Sequence, residues 1–186
     1  HFPGHGDTDI DSHLSLPVLK RSKEEIESQE LIPFIHAIKN DVKSVMTGHL
    51  AVPVFDSSNL PASLSKKIVT GILRKKLNYD GLIITDAMDM MAITNKFSNE
   101  EAVIMALEAG NDILLLPPEP ISAIDTLEKK AEEDTEFRDK LIKSVERIRQ
   151  AKKWCGLLDT HKIQEETSVP FSEHEKLALG IAYDAV

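Results

Sequence analysis

Apolar residues in this chain fall into short unbroken runs and longer stretches in which they recur every three or four positions, an alternation that predicts strands followed by helices. The clearest run is Leu82-Ile83-Ile84, within Gly81 to Met88, as expected of a strand buried on both faces of a parallel sheet. Val42 to Val52 reads as a second strand, which Pro53 helps to end, and Asp112 to Leu116 as a third, closed by Pro117 and Pro118. A fourth is expected just before or at His1. Ser22 and Glu25 form a capping box ahead of Ile26, Leu31, Phe34, Ile35 and Ile38, a helical stripe that Pro33 must break or restart. Ser65 can cap a helix with Ile68, Val69, Ile72, Leu73 and Leu77 on one face. Ser98 with Glu101 opens another through Ala102, Val103, Ala106 and Leu107, stopped by Gly110.

Met88 to Phe97 is short, with one or two helical turns. Two helices follow Pro118, roughly Pro120 to Glu132 and a longer one bearing Phe137, Leu141, Val145, Ile148 and Trp154. Residues 156 to 171 read as an extended connection, and Ser172 with Glu175 starts a last helix. Strands alternating with helices of this length give βαβ units and an α/β fold with a parallel sheet. Four such units are half of an eight-stranded barrel, whose two open edges call for the missing half or a partner. An open doubly wound sheet is the structural alternative.

Composition narrows the functional classes. The chain has 186 residues, 41% of them hydrophobic, enough for one domain of ordinary size. Its formal charge of -9, with no basic stretch, excludes a nucleic-acid backbone as partner. Cys155 is the single cysteine, so no internal disulfide forms and the compartment stays open. No run approaches the length of a membrane span. The chain opens on His1 inside a motif, which predicts an internal piece of a longer protein.

Candidate chemistry lies in two places. Asp86 stands where the apolar run stops, and in α/β folds the ligand crevice lies beyond the carboxyl ends of the strands. An Asp there also commonly caps the next helix. Residues 1 to 16 hold three His, three Asp, two Gly and a Pro without helical or strand period, a functional loop rather than a linker. Within it, Asp11-Ser12-His13 places a carboxylate where it could hold one imidazole nitrogen and raise the basicity of the other, the logic of a general acid/base pair. The same loop carries the zinc-type donors His1, His5, Asp7, Asp9, Asp11 and His13, but their spacing matches no known metal motif, and neither metal nor cofactor is expected. Ser12 lacks the Gly-x-Ser-x-Gly setting of a nucleophile. His49, expected at a strand's carboxyl end, could line the site or bond rim backbone. Met46, Met88, Met90 and Met91 are expected as core and pocket filling, and Asp89 as a solvated or capping carboxylate.

His1-Phe-Pro-Gly-His-Gly-Asp-Thr-Asp-Ile-Asp-Ser-His13, followed by Leu16-Pro17, closely resembles the signature loop of the family 3 glycoside hydrolases of the bacterial β-N-acetylglucosaminidase type. Thr85-Asp86-Ala87-Met88 is similar to that family's nucleophile segment, and the likeness runs through Met46-Thr-Gly-His49, Phe55-Asp56, Ala62-Ser-Leu-Ser65 and Glu100-Glu-Ala102 to about residue 155. It implies that residues 1–155 are the second, C-terminal half of a (β/α)8 TIM-type barrel, and that 156–186 are a linker. Leu177 to Val186 resembles the start of a following α/β domain.

The resemblance further implies retaining hydrolysis of terminal β-linked N-acetylglucosamine, from peptidoglycan fragments, with a muropeptide or related glycan as substrate. By position Asp86 matches the nucleophile, His13 the acid/base, Asp11 its paired carboxylate, and His1 the histidine of a sugar-binding Lys-His pair. The remaining sugar contacts would come from the N-terminal half of the same barrel. The loop carrying His13 is expected to close over the sugar. Family 3 β-glucosidases and β-xylosidases, which place a carboxylic acid/base in a later domain, and a non-catalytic sugar-binding barrel are the alternatives. A bacterial cell-envelope location is favoured over the cytoplasm.

Overall fold

The structure is a computed structural model that describes residues 1–5, 8, 11, 12, 14–158 and 171–184. The chain divides into two compact units, His1–Lys152 and Lys153–Val186. The first holds a parallel sheet of three strands in the order β1 (Ser44–Thr47), β2 (Leu82–Ala87) and β3 (Ile113–Leu115). Val45 pairs with Ile83 and Thr47 with Thr85, while Ile84 pairs with Ile113. The chain start lies beside β1, where the Phe2 N–H donates to the Met46 carbonyl at 2.7 Å and the Gly48 N–H donates to the Phe2 carbonyl at 3.0 Å. A single parallel bridge thus stands where a fourth strand is expected.

β1 stops well short of Val52. Leu50, Ala51 and Val52 are apolar and fully buried, but their backbone bonds run to loops: Ala51 N–H to the Pro17 carbonyl, Leu19 N–H to the Ala51 carbonyl, and Ala62 N–H to the Leu50 carbonyl. Burial against loops imitates a strand in the sequence without continuing the ladder.

Both capping boxes form as the side-chain spacing dictates. Ser22 and Glu25 exchange bonds at the start of α1 (Lys23–Glu25), which widens into a π-helical stretch, Ile26–Glu30, and resumes as α2 (Ile32–Lys39) with Pro33 in its first turn. There proline costs nothing, because its missing N–H would be unpaired anyway. Lys67–Lys76 is a second π-helical segment, entered through Ser65, whose hydroxyl accepts from the Ile68 N–H. Past β2, α3 (Met91–Thr94) is one turn, and α4 (Asn99–Ala109) starts at the Ser98–Glu101 box and ends at Gly110, whose φ of 113° only glycine adopts without strain.

α5 (Pro120–Glu133) and α6 (Thr135–Trp154) follow, and the second unit contains α7 (Phe171–Asp184). The extended connection expected up to residue 171 falls largely on 159–170, outside the described residues. On α6 Phe137 is buried and Leu141 and Ile148 are partly buried, as the stripe predicts, but Ser144 is buried where periodicity expects Val145, and Val145 and Trp154 are exposed. Among the described residues no helix is long and apolar enough to cross a membrane.

The helices cover one face of the sheet. Phe2, Val45, Ile68, Leu73 and Ile83 pack there with Ile26 and Leu50, each large side chain contributing about 2 kcal/mol by removal from water. On the opposite face Met46, Leu82, Ile84 and Ile113 are only partly buried, so β2 is sealed on one side rather than two.

The amino-terminal end of the sheet is held by a carboxylate. Asp112, its side chain fully buried, accepts from Arg74 Nη2 at 2.5 Å, Arg147 Nη1 at 3.1 Å and the Ile83 N–H at 2.9 Å. Arg74 also donates to the carbonyls of Tyr79 and Gly81. Burial pushes the neighbouring Tyr79 phenol up to about 12. Asp56 does similar work in the loop before the Lys67–Lys76 helix. Burial alone would raise its carboxyl, but the hydroxyls of Ser65 and Ser58 and the ammonium of Lys67 bring it down to about 2 from 3.8. A lowered folded-state pKa gives stability that is complete above about pH 4 and is lost as pH falls toward 2, roughly 2 kcal/mol in all. Urea titrations across that range should show this slope in the wild type and its disappearance in Asp56→Asn.

Candidate active site

Asp86 sits at the carboxyl end of β2, where the ladder is irregular. Between the paired positions Ile84↔Ile113 and Ala87↔Leu115, β2 advances by three residues while β3 advances by two. The extra residue is a bulge at Thr85-Asp86, a device that re-aims a side chain at a strand end. Side chains supply what the broken ladder omits. Thr85 Oγ1 accepts from the Leu115 N–H at 3.0 Å, and Asp86 Oδ1 accepts from the Ala87 N–H at 2.9 Å. Asp86 therefore binds the turn that follows it and does not cap the next helix, whose N-cap is Met90 without a side-chain bond, and its second oxygen is still available. That oxygen, Oδ2, lies 3.2 Å from Nε2 of the half-exposed His1.

His1 can approach because residue 48 is glycine: a Cβ there would stand 2.7 Å from Leu50 Cδ2 and 3.1 Å from the His1 Cβ. His1 and His5 meet edge to face with ring centroids 6.2 Å apart, and His5 Nε2 is 3.2 Å from Ser12 Oγ. A cavity of about 480 Å³ is lined by His1, His5, Asp11, Ser12 and Asp86. The opening loop and the end of β2 thus share one pocket. Two carboxylates and two imidazoles face a space large enough for a sugar ring. Of the candidates read from the sequence, Asp86, Asp11 and His1 come together here, and His13 lies outside the described residues. So do Asp7 and Asp9; among the described residues no group of three or more His, Cys, Asp or Glu is placed to hold a metal.

His49 lies two residues past β1, fully buried, and does not line the pocket. Its Nδ1 is 2.7 Å from Ser63 Oγ and its Nε2 is 3.0 Å from the Ala87 carbonyl oxygen. The carbonyl can only accept, so the ring must carry its proton on Nε2 and take the Ser63 hydroxyl at Nδ1. Burial holds its pKa below the usual 6.5 and keeps it neutral. Met88 and Met90 are buried as expected, whereas Met91 is half exposed, because its one-turn helix carries it on the outer side. Asp89 is exposed. Sequence reasoning missed Asn111, which is buried. It accepts from Thr47 and donates to the carbonyls of Ser63 and Ala106. A polar pair after a helix-ending glycine and before an apolar run, Gly110-Asn111-Asp112, is the only local signal it leaves.

A pocket with two carboxylates and two imidazoles at the carboxyl ends of parallel strands stands where α/β domains bind their ligands. The family model for the glycosyl hydrolase family 3 N terminal domain matches residues 1–151, and the chain belongs to that family. It is 40% identical over 128 residues to beta-hexosaminidase A of Pseudoalteromonas piscicida, covering 63% of this chain and 21% of that protein. To the beta-hexosaminidase of Haemophilus influenzae it is 42% identical over 129 residues, covering 69% of this chain and 36% of the relative. Among solved structures, a family 3 beta-N-acetylglucosaminidase from Paenibacillus sp. superposes with a TM-score of 0.82 at 34% identity, over 90% of this chain and 32% of that one. The chain spans well under half the length of these relatives.

Proposed function

We propose that the chain forms the second half of a (β/α)8 barrel in a retaining glycosidase that removes terminal β-linked N-acetylglucosamine from a glycan of the peptidoglycan-fragment type. The observation that carries this reading is the shared cavity: Asp86 and Asp11, remote in sequence, line one pocket at the carboxyl end of the sheet. The partly buried apolar face made by Met46, Leu82, Ile84 and Ile113 supports the barrel reading, since a closed barrel would bury that face in its interior. On this reading residues 1–155 belong to the barrel and 156–186 lead toward a following domain, while an upstream half supplies the remaining sugar contacts.

In the reaction, an Asp86 oxygen attacks the anomeric carbon as the glycosidic bond breaks, and His13, held by Asp11, protonates the departing oxygen. The imidazole, now neutral, then takes a proton from water, which displaces Asp86 and releases the sugar with its β configuration. His1, 3.2 Å from Asp86, is placed to hold a sugar hydroxyl beside the nucleophile. Proton NMR of the first product formed from an aryl β-N-acetylglucosaminide by the full-length protein should show the β anomer. His13→Ala should slow turnover by roughly 10²- to 10⁴-fold. Initial release of the α anomer would refute the covalent route.

A further inference from the structure

We propose that His49 is a positioning residue that locks the bulge carrying Asp86 and so sets the attack geometry of that carboxylate; this rests on Asp86 being the nucleophile. The two peptides that follow Asp86 are held by three bonds. The Ala87 N–H goes to Asp86 Oδ1, the next N–H, of Met88, goes to the Leu115 carbonyl at 2.8 Å, and the Ala87 carbonyl takes the His49 Nε2–H at 3.0 Å. Only the last of these comes from outside β2 and β3. Leu115 and His49 thus hold the Ala87–Met88 peptide from its two sides, and the His49 bond, the one from outside the two strands, completes the restraint on the backbone that aims Asp86.

His49 is itself fixed. Ser63 Oγ occupies Nδ1, and the Ser63 backbone is tied by its N–H to the Gly48 carbonyl at 3.2 Å and by its carbonyl to Asn111 Nδ2 at 2.7 Å. Asn111 in turn accepts from Thr47 Oγ1 at 2.8 Å. The chain Thr47, Asn111, Ser63, His49, Ala87 therefore links β1, the start of β3 and the end of β2 through buried, fully partnered atoms. His49 touches no part of the pocket, so it acts on the reaction only through Asp86.

The two ring nitrogens allow a direct test in the full-length protein. Glutamine reaches the Nε2 position and can still donate to the Ala87 carbonyl; asparagine reaches only the Nδ1 position and keeps the Ser63 contact alone. With an aryl β-N-acetylglucosaminide, His49→Asn should lower kcat by about 10- to 100-fold with KM changed less than about threefold, as expected when a reacting group is misplaced by up to an ångström. His49→Gln should recover most of that loss at a comparable melting temperature. Equal kcat in the two variants, or activity that follows melting temperature alone, would reduce His49 to packing.

Should both variants fail to fold, nitrogen-15 NMR of the wild type decides. A proton on Nε2 of the neutral ring is required, and the Nδ1–H tautomer would overturn the proposal, because that ring cannot donate to Ala87. Asp86→Ala in the same assay separates the two claims: residual full activity there refutes the nucleophile, whereas an inactive Asp86→Ala beside an unaffected His49→Asn refutes only the positioning role.

Discussion

Asp86→Ala should lower hydrolysis of an aryl β-N-acetylglucosaminide by about a thousandfold or more in the full-length protein, ~4 kcal/mol of lost transition-state stabilisation. Among the described pocket residues it is the only carboxylate carried on a strand. Asp11 lies on the opening loop, where it is the proposed partner of the acid/base, and His1 lies 3.2 Å from Asp86 itself. The variant should remain folded, because among the described residues the Asp86 side chain bonds only the Ala87 N–H and His1. Asp86→Asn keeps an oxygen for Ala87 but not the charge, and should be as inactive. Activity within about tenfold of wild type in either variant would be incompatible with a glycosyl-enzyme on this residue.

Asp112→Ala should cause the largest loss of stability of any single change at the amino-terminal end of the sheet, about 3–5 kcal/mol. It leaves the guanidinium groups of Arg74 and Arg147 facing each other without their shared carboxylate and deprives the buried Ile83 N–H of its side-chain acceptor. Arg74 is only 11% exposed, so water cannot make good the loss. Denaturant titration should show the drop. The kinetic constants of the protein that remains folded should change little, since Asp86 lies at the other end of β2. A loss below about 1 kcal/mol would mean that the arginines find other partners.

The parts of this fold that were legible in the sequence are those decided within a few residues. Ser22 with Glu25 and Ser98 with Glu101 bond across three positions, and both form; Pro33 restarts a helix where the ring fits; Gly110 ends one in a left-handed turn. Runs of apolar residues placed three strands, but could not tell a ladder from burial under loops, so β1 ends at Thr47 and not at Val52. Periodicity expects Val145 inside α6, yet its neighbour Ser144 is buried, on a helix that also sends Arg147 to Asp112.

At the site, position alone marked Asp86 and the opening loop. Their union, seen in the 3.2 Å approach of His1 to Asp86, is a long-range event with no local signal. The same holds for the bulge. An extra residue in β2 is defined only against its partner β3, and the donor that secures it, His49, lies 38 positions away from Ala87.

The most direct test is to treat the full-length protein with a fluorinated N-acetylglucosaminyl fluoride, which forms a slowly hydrolysed glycosyl-enzyme, and to locate the added sugar by peptide mass spectrometry. The label should lie on the peptide spanning Gly81 to Met88, at Asp86, and be absent from Asp86→Ala. A label on any other carboxylate, or none while turnover continues with inversion, would contradict the account.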